Sequence, residues 1–148
     1  MRLKSTLIAA TAAFAAVMGL ATPSTAAGSV AATRADLDRS WGYARVQMGW
    51  TVHPYKIDPI AIHLEDKLTD GYTLGIRIGV EYGSGHVLYR WRFVEPGSAS
   101  GQWTTYADGG RYPYYAFFEM CKFKNGVASS CLRSKIMENP ADDSGVSG

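Results

Sequence analysis

From Tyr72 to Phe93 the chain alternates with a period of two, and this pattern restricts the fold more than any other feature. Tyr72, Leu74, Ile76, Ile78, Val80 and Tyr82 are separated by Thr73, Gly75, Arg77, Gly79 and Glu81. Such a period sends successive side chains to opposite faces of a half-buried β-strand. Beyond Gly83-Ser84-Gly85 the alternation resumes, with Val87, Tyr89, Trp91 and Phe93 on one face and His86, Leu88, Arg90 and Arg92 on the other. The two runs predict a hairpin. An even-numbered apolar face lies beside an odd-numbered one only if paired positions sum to an odd number, which requires a loop of two or four residues.

Other segments extend the pattern. Trp41 to Val52 reads as a first strand, with a bulge near Ala44-Arg45 where the alternation slips. Pro54 and Pro59 mark residues 53–59 as a turn or crossing loop. Ile60, Ile62, Leu64 and Leu68 give a second strand, with Asp66 out of place on its inward face. Thr69-Asp70-Gly71 then predicts a three-residue hairpin loop with Gly71 left-handed, setting Leu68 near Tyr72, Leu64 near Ile76 and Ile62 near Ile78. Residues 95–101 form a loop, residues 102–107 a short strand and Asp108-Gly109-Gly110 a turn. Tyr112 to Phe123 and Val127 to Met137 complete a last hairpin about Asn125-Gly126. Short strands, frequent turn signals and almost no helical periodicity predict an all-β fold, an antiparallel β-sandwich with a small barrel as the alternative.

The first residues carry a different signal. A basic tip at Arg2 and Lys4, an Ala-rich apolar run from Leu7 to Ala21 and a small-residue exit from Thr22 to Ala27 have the order of a secretory signal peptide. Cleavage fits after Ala26 or Ala27, and we take 1–27 as the signal. No later run approaches the ~20 apolar residues of a spanning helix. The expected layout is a flexible lead over 28–40, a β-sandwich domain over 41–138 and a disordered tail over 139–148. With Arg2 and Lys4 removed, 13 Lys and Arg face 13 Asp and Glu. That balance argues against nucleic acid or an anionic membrane as a partner, since both need a basic excess.

Cys121 and Cys131 are an even pair in an oxidising compartment, so a disulfide is expected, worth about 2–3 kcal/mol through restriction of the unfolded chain. Parity makes a demand here. A plain two-residue Asn-Gly turn would set Cys121 opposite Ser130 and send Cys131 to the other face, so the hairpin must contain an odd loop or a bulge.

His53, His63 and His86 lack close metal-ligand spacing, and no cofactor or metal site is expected. Among the carboxylates, Asp70 and Asp108 precede Gly and are explained as turn formers. Asp66 is explained by fraying or by a hydrogen bond to a nearby backbone amide. Arg77, Arg90 and Arg92 are all expected on the non-core face of the opening hairpin. Opposed cations there need a carboxylate from Glu81, Glu95 or another strand, or else form a secondary anion-binding patch. The chain's 4 Trp and 9 Tyr exceed what so small a core needs. Trp103, Tyr106, Arg111, Tyr112, Tyr114 and Tyr115, around the 108–110 turn, are therefore candidates for a recognition platform that stacks on sugar rings or contacts protein. Alternation separates Tyr114 from Tyr115, so some of these rings must pack the core.

The stretch from Asp70-Gly71 through the Tyr-rich run to Cys121, Asn125-Gly126, Cys131 and Asn139-Pro140 resembles small exported actinobacterial proteins. The resemblance implies export and carries over no catalytic residue. The expectation is a secreted, extracellular, non-enzymatic binding module for a glycan, a cell-wall polymer or a protein. The alternative is an inhibitor of an extracellular hydrolase. A small hydrolase using His63, Glu65 or Asp66 ranks third, because no orienting partner is evident.

Overall fold

Ten strands account for most of the computed structural model, which describes residues 29–141. In chain order they are β1 (Ser29–Arg39), β2 (Gly42–Thr51), β3 (Lys56–Asp66), β4 (Thr73–Glu81), β5 (His86–Leu88), β6 (Arg92–Phe93), β7 (Ser100–Ala107), β8 (Tyr115–Lys124), β9 (Val127–Arg133) and β10 (Met137–Glu138). One antiparallel sheet has the order β1-β2-β3-β7. The other is built on the central pair β8-β4, with β5 and β6 on the free side of β4 and β9 and β10 on the free side of β8. The sheets do not close into a barrel, and the fold is a β-sandwich. The expected signal peptide and residues 142–148 of the expected tail lie outside the described residues.

Period-two patterning builds the core. Ala44, Val46, Met48 and Trp50 of β2 and Ile60, Ile62 and Leu64 of β3 face Leu74, Ile76, Ile78 and Val80 of β4 and Phe118 and Met120 of β8, all of them buried. Trp50 donates from Nε1 to Thr33 Oγ1 at 2.8 Å, so its one polar atom is satisfied inside.

Five expectations about the chain path are corrected. The segment expected to be a flexible lead is strand β1 from Ser29 onward. Its outward Asp36 lies opposite Arg45 of β2 and pairs with it, and its inward Ala35 is buried. Thr69-Asp70-Gly71 does not join a hairpin, because β3 pairs with β2 and β7 while β4 pairs with β8. Two strands that turn even-numbered faces to one core show the same parity whether they are hydrogen-bonded neighbours or lie in opposite sheets. Gly71 is left-handed, with φ 77°, but it serves a crossing between sheets. Pro59 lies within β3, at a bulge between Ile57 and Ile60 that faces Gly49, and the expected irregularity at Ala44-Arg45 is not there. Asn139, placed by sequence in a disordered tail, is buried.

The register of the opening hairpin also changes partway. Gly79 pairs with Leu88 and Val80 with Val87 across a four-residue loop, so positions sum to an odd number as expected. Ile76 then pairs with Arg92 and Gly75 with Phe93, where the sum is even. One extra residue between β5 and β6 turns Trp91 and Phe93 outward and Arg92 and Val94 inward. Arg77, Arg90 and Arg92 therefore do not share one face.

In the last hairpin the same device joins the cysteines. Asn125 (φ 52°) and Gly126 (φ 77°) form the two-residue turn, and Lys122 pairs with Ser129. A bulge with Ser130 left-handed (φ 48°) then shifts the register, so that Met120 pairs with Leu132. Cys121 and Cys131 are thereby brought to one face and joined by a disulfide, with Cα atoms 4.2 Å apart.

Candidate functional site

Three connections meet at one end of the sandwich: residues 52–55 between β2 and β3, 82–85 between β4 and β5, and 108–114 between β7 and β8. Sequence pattern marks each as a turn, but only the two-sheet arrangement brings them together. His53 and Tyr55 have ring centroids 5.2 Å apart. Tyr55 meets Tyr112 edge-on at 5.2 Å, and Tyr112 meets Tyr114 in the same way at 5.2 Å. The four rings form a continuous row, in which Tyr55 is 40% and Tyr114 44% exposed. Edge-to-face contacts of this kind hold each ring against its neighbour while leaving apolar surface at the solvent side.

The loop beneath the row is held at several points. Gly109 sits on the Tyr82 ring where a Cβ would collide with it. Tyr114 N donates to Glu81 O at 2.9 Å, and Arg111 Nη1 donates to Ser84 Oγ. Asn139 holds the far side, its Nδ2 donating to Pro113 O at 2.8 Å and its backbone N donating to Tyr114 O at 2.9 Å. Asn139 is buried and Pro113 nearly fully so, which makes these bonds a fixed seat for Tyr112 and Tyr114. Tyr82 lies below, its hydroxyl 2.9 Å from that of Tyr89; burial first, and then this bond, raise its pKa.

Of the six residues singled out by sequence, Tyr112 and Tyr114 are in the row and Arg111 is exposed on the same loop. Tyr106 is 62% exposed on the outer face of the β1-β2-β3-β7 sheet. Trp103 points inward, half-buried against the core, opposite Ile62. Tyr115 lies on β8 between Glu81 and Glu138, on the outer face of the second sheet and away from the row. Sequence reasoning missed His53 and Tyr55. Their one signal is an aromatic pair flanking Pro54 in a turn, and nothing local ties that turn to residues 108–114.

The arginines divide. Arg77 donates from Nε to Glu119 Oε2 at 2.7 Å, and Arg133 donates from Nη2 to Glu119 Oε1 at 2.8 Å. Another strand's carboxylate thus neutralises Arg77. The Arg77 guanidinium also stacks 4.6 Å from the Trp91 ring centre, and that of Arg133 stacks 4.2 Å from Phe117. Arg90 is exposed and Arg92 half-buried at the opposite margin of β4.

His63 and Glu65 point outward from β3. His63 lies 5.9 Å from Tyr43 and lines a shallow depression with Arg45, Gln47 and Gln102. Asp66 ends the strand and accepts from Leu68 N at 3.1 Å. Among the described residues no group of three His, Cys, Asp or Glu could hold a metal ion, and no helix is long and apolar enough to cross a membrane. Comparison with known protein families, with curated proteins and with solved structures returns no match.

Proposed function

We propose that this protein is a secreted, non-catalytic binding module that engages an extracellular glycan or cell-wall polymer through the aromatic end of the sandwich. The observation that carries this reading is the row His53, Tyr55, Tyr112 and Tyr114, spaced at 5.2 Å on a seat fixed by Asn139 and Tyr82. Aromatic rings with polar tips suit the apolar faces and surrounding hydroxyls of sugars. A fixed seat also removes the entropy cost of ordering the loop on binding. The disulfide is compatible with an oxidising, extracellular setting.

Retention on insoluble chitin, cellulose and peptidoglycan tests the proposal, using the protein beside its Tyr55→Ala/Tyr112→Ala variant. Circular dichroism would check the fold of both. Retention of the parent with loss in the folded variant is expected and identifies the polymer. Equal retention of both removes the aromatic row, and no retention of either removes the polymer. One observation favours a second reading, inhibition of an extracellular hydrolase. The 108–114 loop is fastened at both ends and projects Gly110 and Arg111 into solvent. That reading requires stoichiometric loss of a hydrolase's activity.

A further inference from the structure

The sandwich is open along one side, where β7 ends the first sheet and the interrupted strand β5/β6 ends the second. Between them lies a cavity of about 230 Å³. Ile60 and Ile62 of β3 and Ile76 and Ile78 of β4 line its interior, and all four are buried. Thr105 supplies a hydroxyl on the β7 side. Tyr89, Tyr106 and three arginines, Arg77, Arg90 and Arg92, also line the cavity, and no Asp or Glu does. The Arg77 guanidinium is already committed to Glu119, which leaves Arg90 and Arg92.

The placement of Arg92 departs from the pattern of the sheet. Paired residues in a ladder share a face, and Arg92 pairs with Ile76, whose side chain is in the core. The extra residue between β5 and β6 has turned a cation toward the inside of the sandwich, where an apolar side chain would otherwise close the edge. Charge pairing elsewhere makes the contrast sharper. Arg34, Arg45, Arg77 and Arg133 each meet a carboxylate. Among the described residues Arg90 and Arg92 have neither an ion pair nor a side-chain hydrogen bond. A half-buried guanidinium at the mouth of an apolar cavity has lost part of its water without gaining a partner.

We infer that this cavity between the sheets binds a small amphipathic carboxylate, with its apolar body against the four isoleucines and its headgroup held by Arg90 and Arg92. A guanidinium matches the two oxygens of a carboxylate in a forked geometry, which a neutral polar head cannot reproduce. None of the four rings of the aromatic row lines the cavity, although Tyr89, which does, is hydrogen-bonded to Tyr82 beneath that row. A competing explanation is that the two arginines only keep the unpaired edges of β6 and β7 from pairing with other chains.

Octanoate, octan-1-ol and acetate distinguish these accounts, with binding to the purified protein followed by titration calorimetry and thermal unfolding. Octanoate should bind at one saturable site per molecule and raise the unfolding temperature. Octan-1-ol should bind about tenfold more weakly, as expected for loss of a charge-assisted contact, and acetate should not bind detectably. Arg90→Gln/Arg92→Gln should abolish the preference for octanoate over octan-1-ol without lowering the unfolding temperature of the free protein. If the double variant does not fold, Arg90→Gln alone serves, since Arg90 is exposed and has no partner to lose. A Thr105→Phe variant, which fills the cavity, should lose both ligands. Equal binding of octanoate and octan-1-ol, undiminished octanoate binding by the arginine variants, or no saturable octanoate binding would each overturn the inference. Self-association of the arginine variant with octanoate binding intact would assign the arginines to guarding the edges.

Discussion

On the outer face of the β1-β2-β3-β7 sheet, Asp36 accepts from Arg45 at 2.8 Å and from Arg34 at 3.1 Å, and all three side chains are at least a third exposed. The outer face of the other sheet carries the same motif, a carboxylate between two arginines, but there Glu119 is only 14% exposed. Tyr43 joins the first cluster, donating its hydroxyl to Asp36 at 2.8 Å with the Arg45 guanidinium 5.6 Å from its ring centre, but the rings of the second face lie closer. Trp91 and Phe117 lie over the two guanidiniums of the second face. Trp91 and Phe93 also pack on Phe123, at 4.9 and 5.0 Å, beside the disulfide. Two glycines of β4 make room for these rings. A Cβ on Gly75 would stand 2.7 Å from Phe123 and 2.8 Å from Phe93, and one on Gly79 would overlap Phe117. The rings and the glycine backbone leave Glu119 and Arg77 little exposed while Arg133 stays 56% exposed, so the Arg77–Glu119 pair is less screened by water and salt than the pairs of Asp36.

Gly79→Val would break this contrast most severely. It forces the Phe117 ring off the sheet, uncovers Arg133 and should cost about 3 kcal/mol by urea denaturation. An Ala61→Ser change on the polar face, with no ring above it, should stay within about 0.5 kcal/mol. Glu119→Gln comes next, at about 1–2 kcal/mol, because two partly covered guanidiniums lose their counter-charge.

The Glu119→Gln substitution also has a pH signature. Burial works to raise the Glu119 carboxyl, but hydrogen bonds from Arg133 and Arg77 outweigh it and hold the pKa below the ordinary 4.5. A depressed folded pKa gives stability that is present above 4.5 and is lost as pH falls through the folded value. Unfolding midpoints measured from pH 6 down to pH 3 should therefore decline less steeply in Glu119→Gln than in the parent. An unchanged slope would show that the covering rings leave the carboxylate free to titrate normally.

A double-mutant cycle between Trp91→Leu and Arg77→Gln should give a coupling of about 0.5–1 kcal/mol that persists in 0.5 M salt. The smallest effect belongs to the polar face. Asp36→Asn should cost no more than about 0.5 kcal/mol, and that difference should vanish in the same salt.

Much of the architecture was legible because burial writes itself into alternation. The core positions of β4 and the need for a bulge between the cysteines both follow from counting residues. Pairing partners were not legible, since parity records only which way a strand faces. That is why the β3-β4 connection was read as a hairpin. Gly75 and Gly79 occupy polar-face positions in the pattern, and their role as seats for rings depends on Phe93, Phe117 and Phe123, which neighbouring strands deliver. The site was half visible for the same reason: Tyr112 and Tyr114 announce themselves near a turn, whereas Tyr55 joins them only after two sheets have stacked. Strand β1 was hidden by its short side chains, and it is stabilised by what β2 offers it rather than by its own pattern.

The bulge at Ser130 makes the disulfide a record of correct assembly. With the same Asn-Gly turn and no bulge, β9 would present Cys131 to the wrong face, and the two sulfurs could not meet. Within the paired hairpin the bond therefore fits only the bulged alignment. The covalent bond in turn holds the register that the bulge sets, since losing the bulge would carry the two sulfurs to opposite faces.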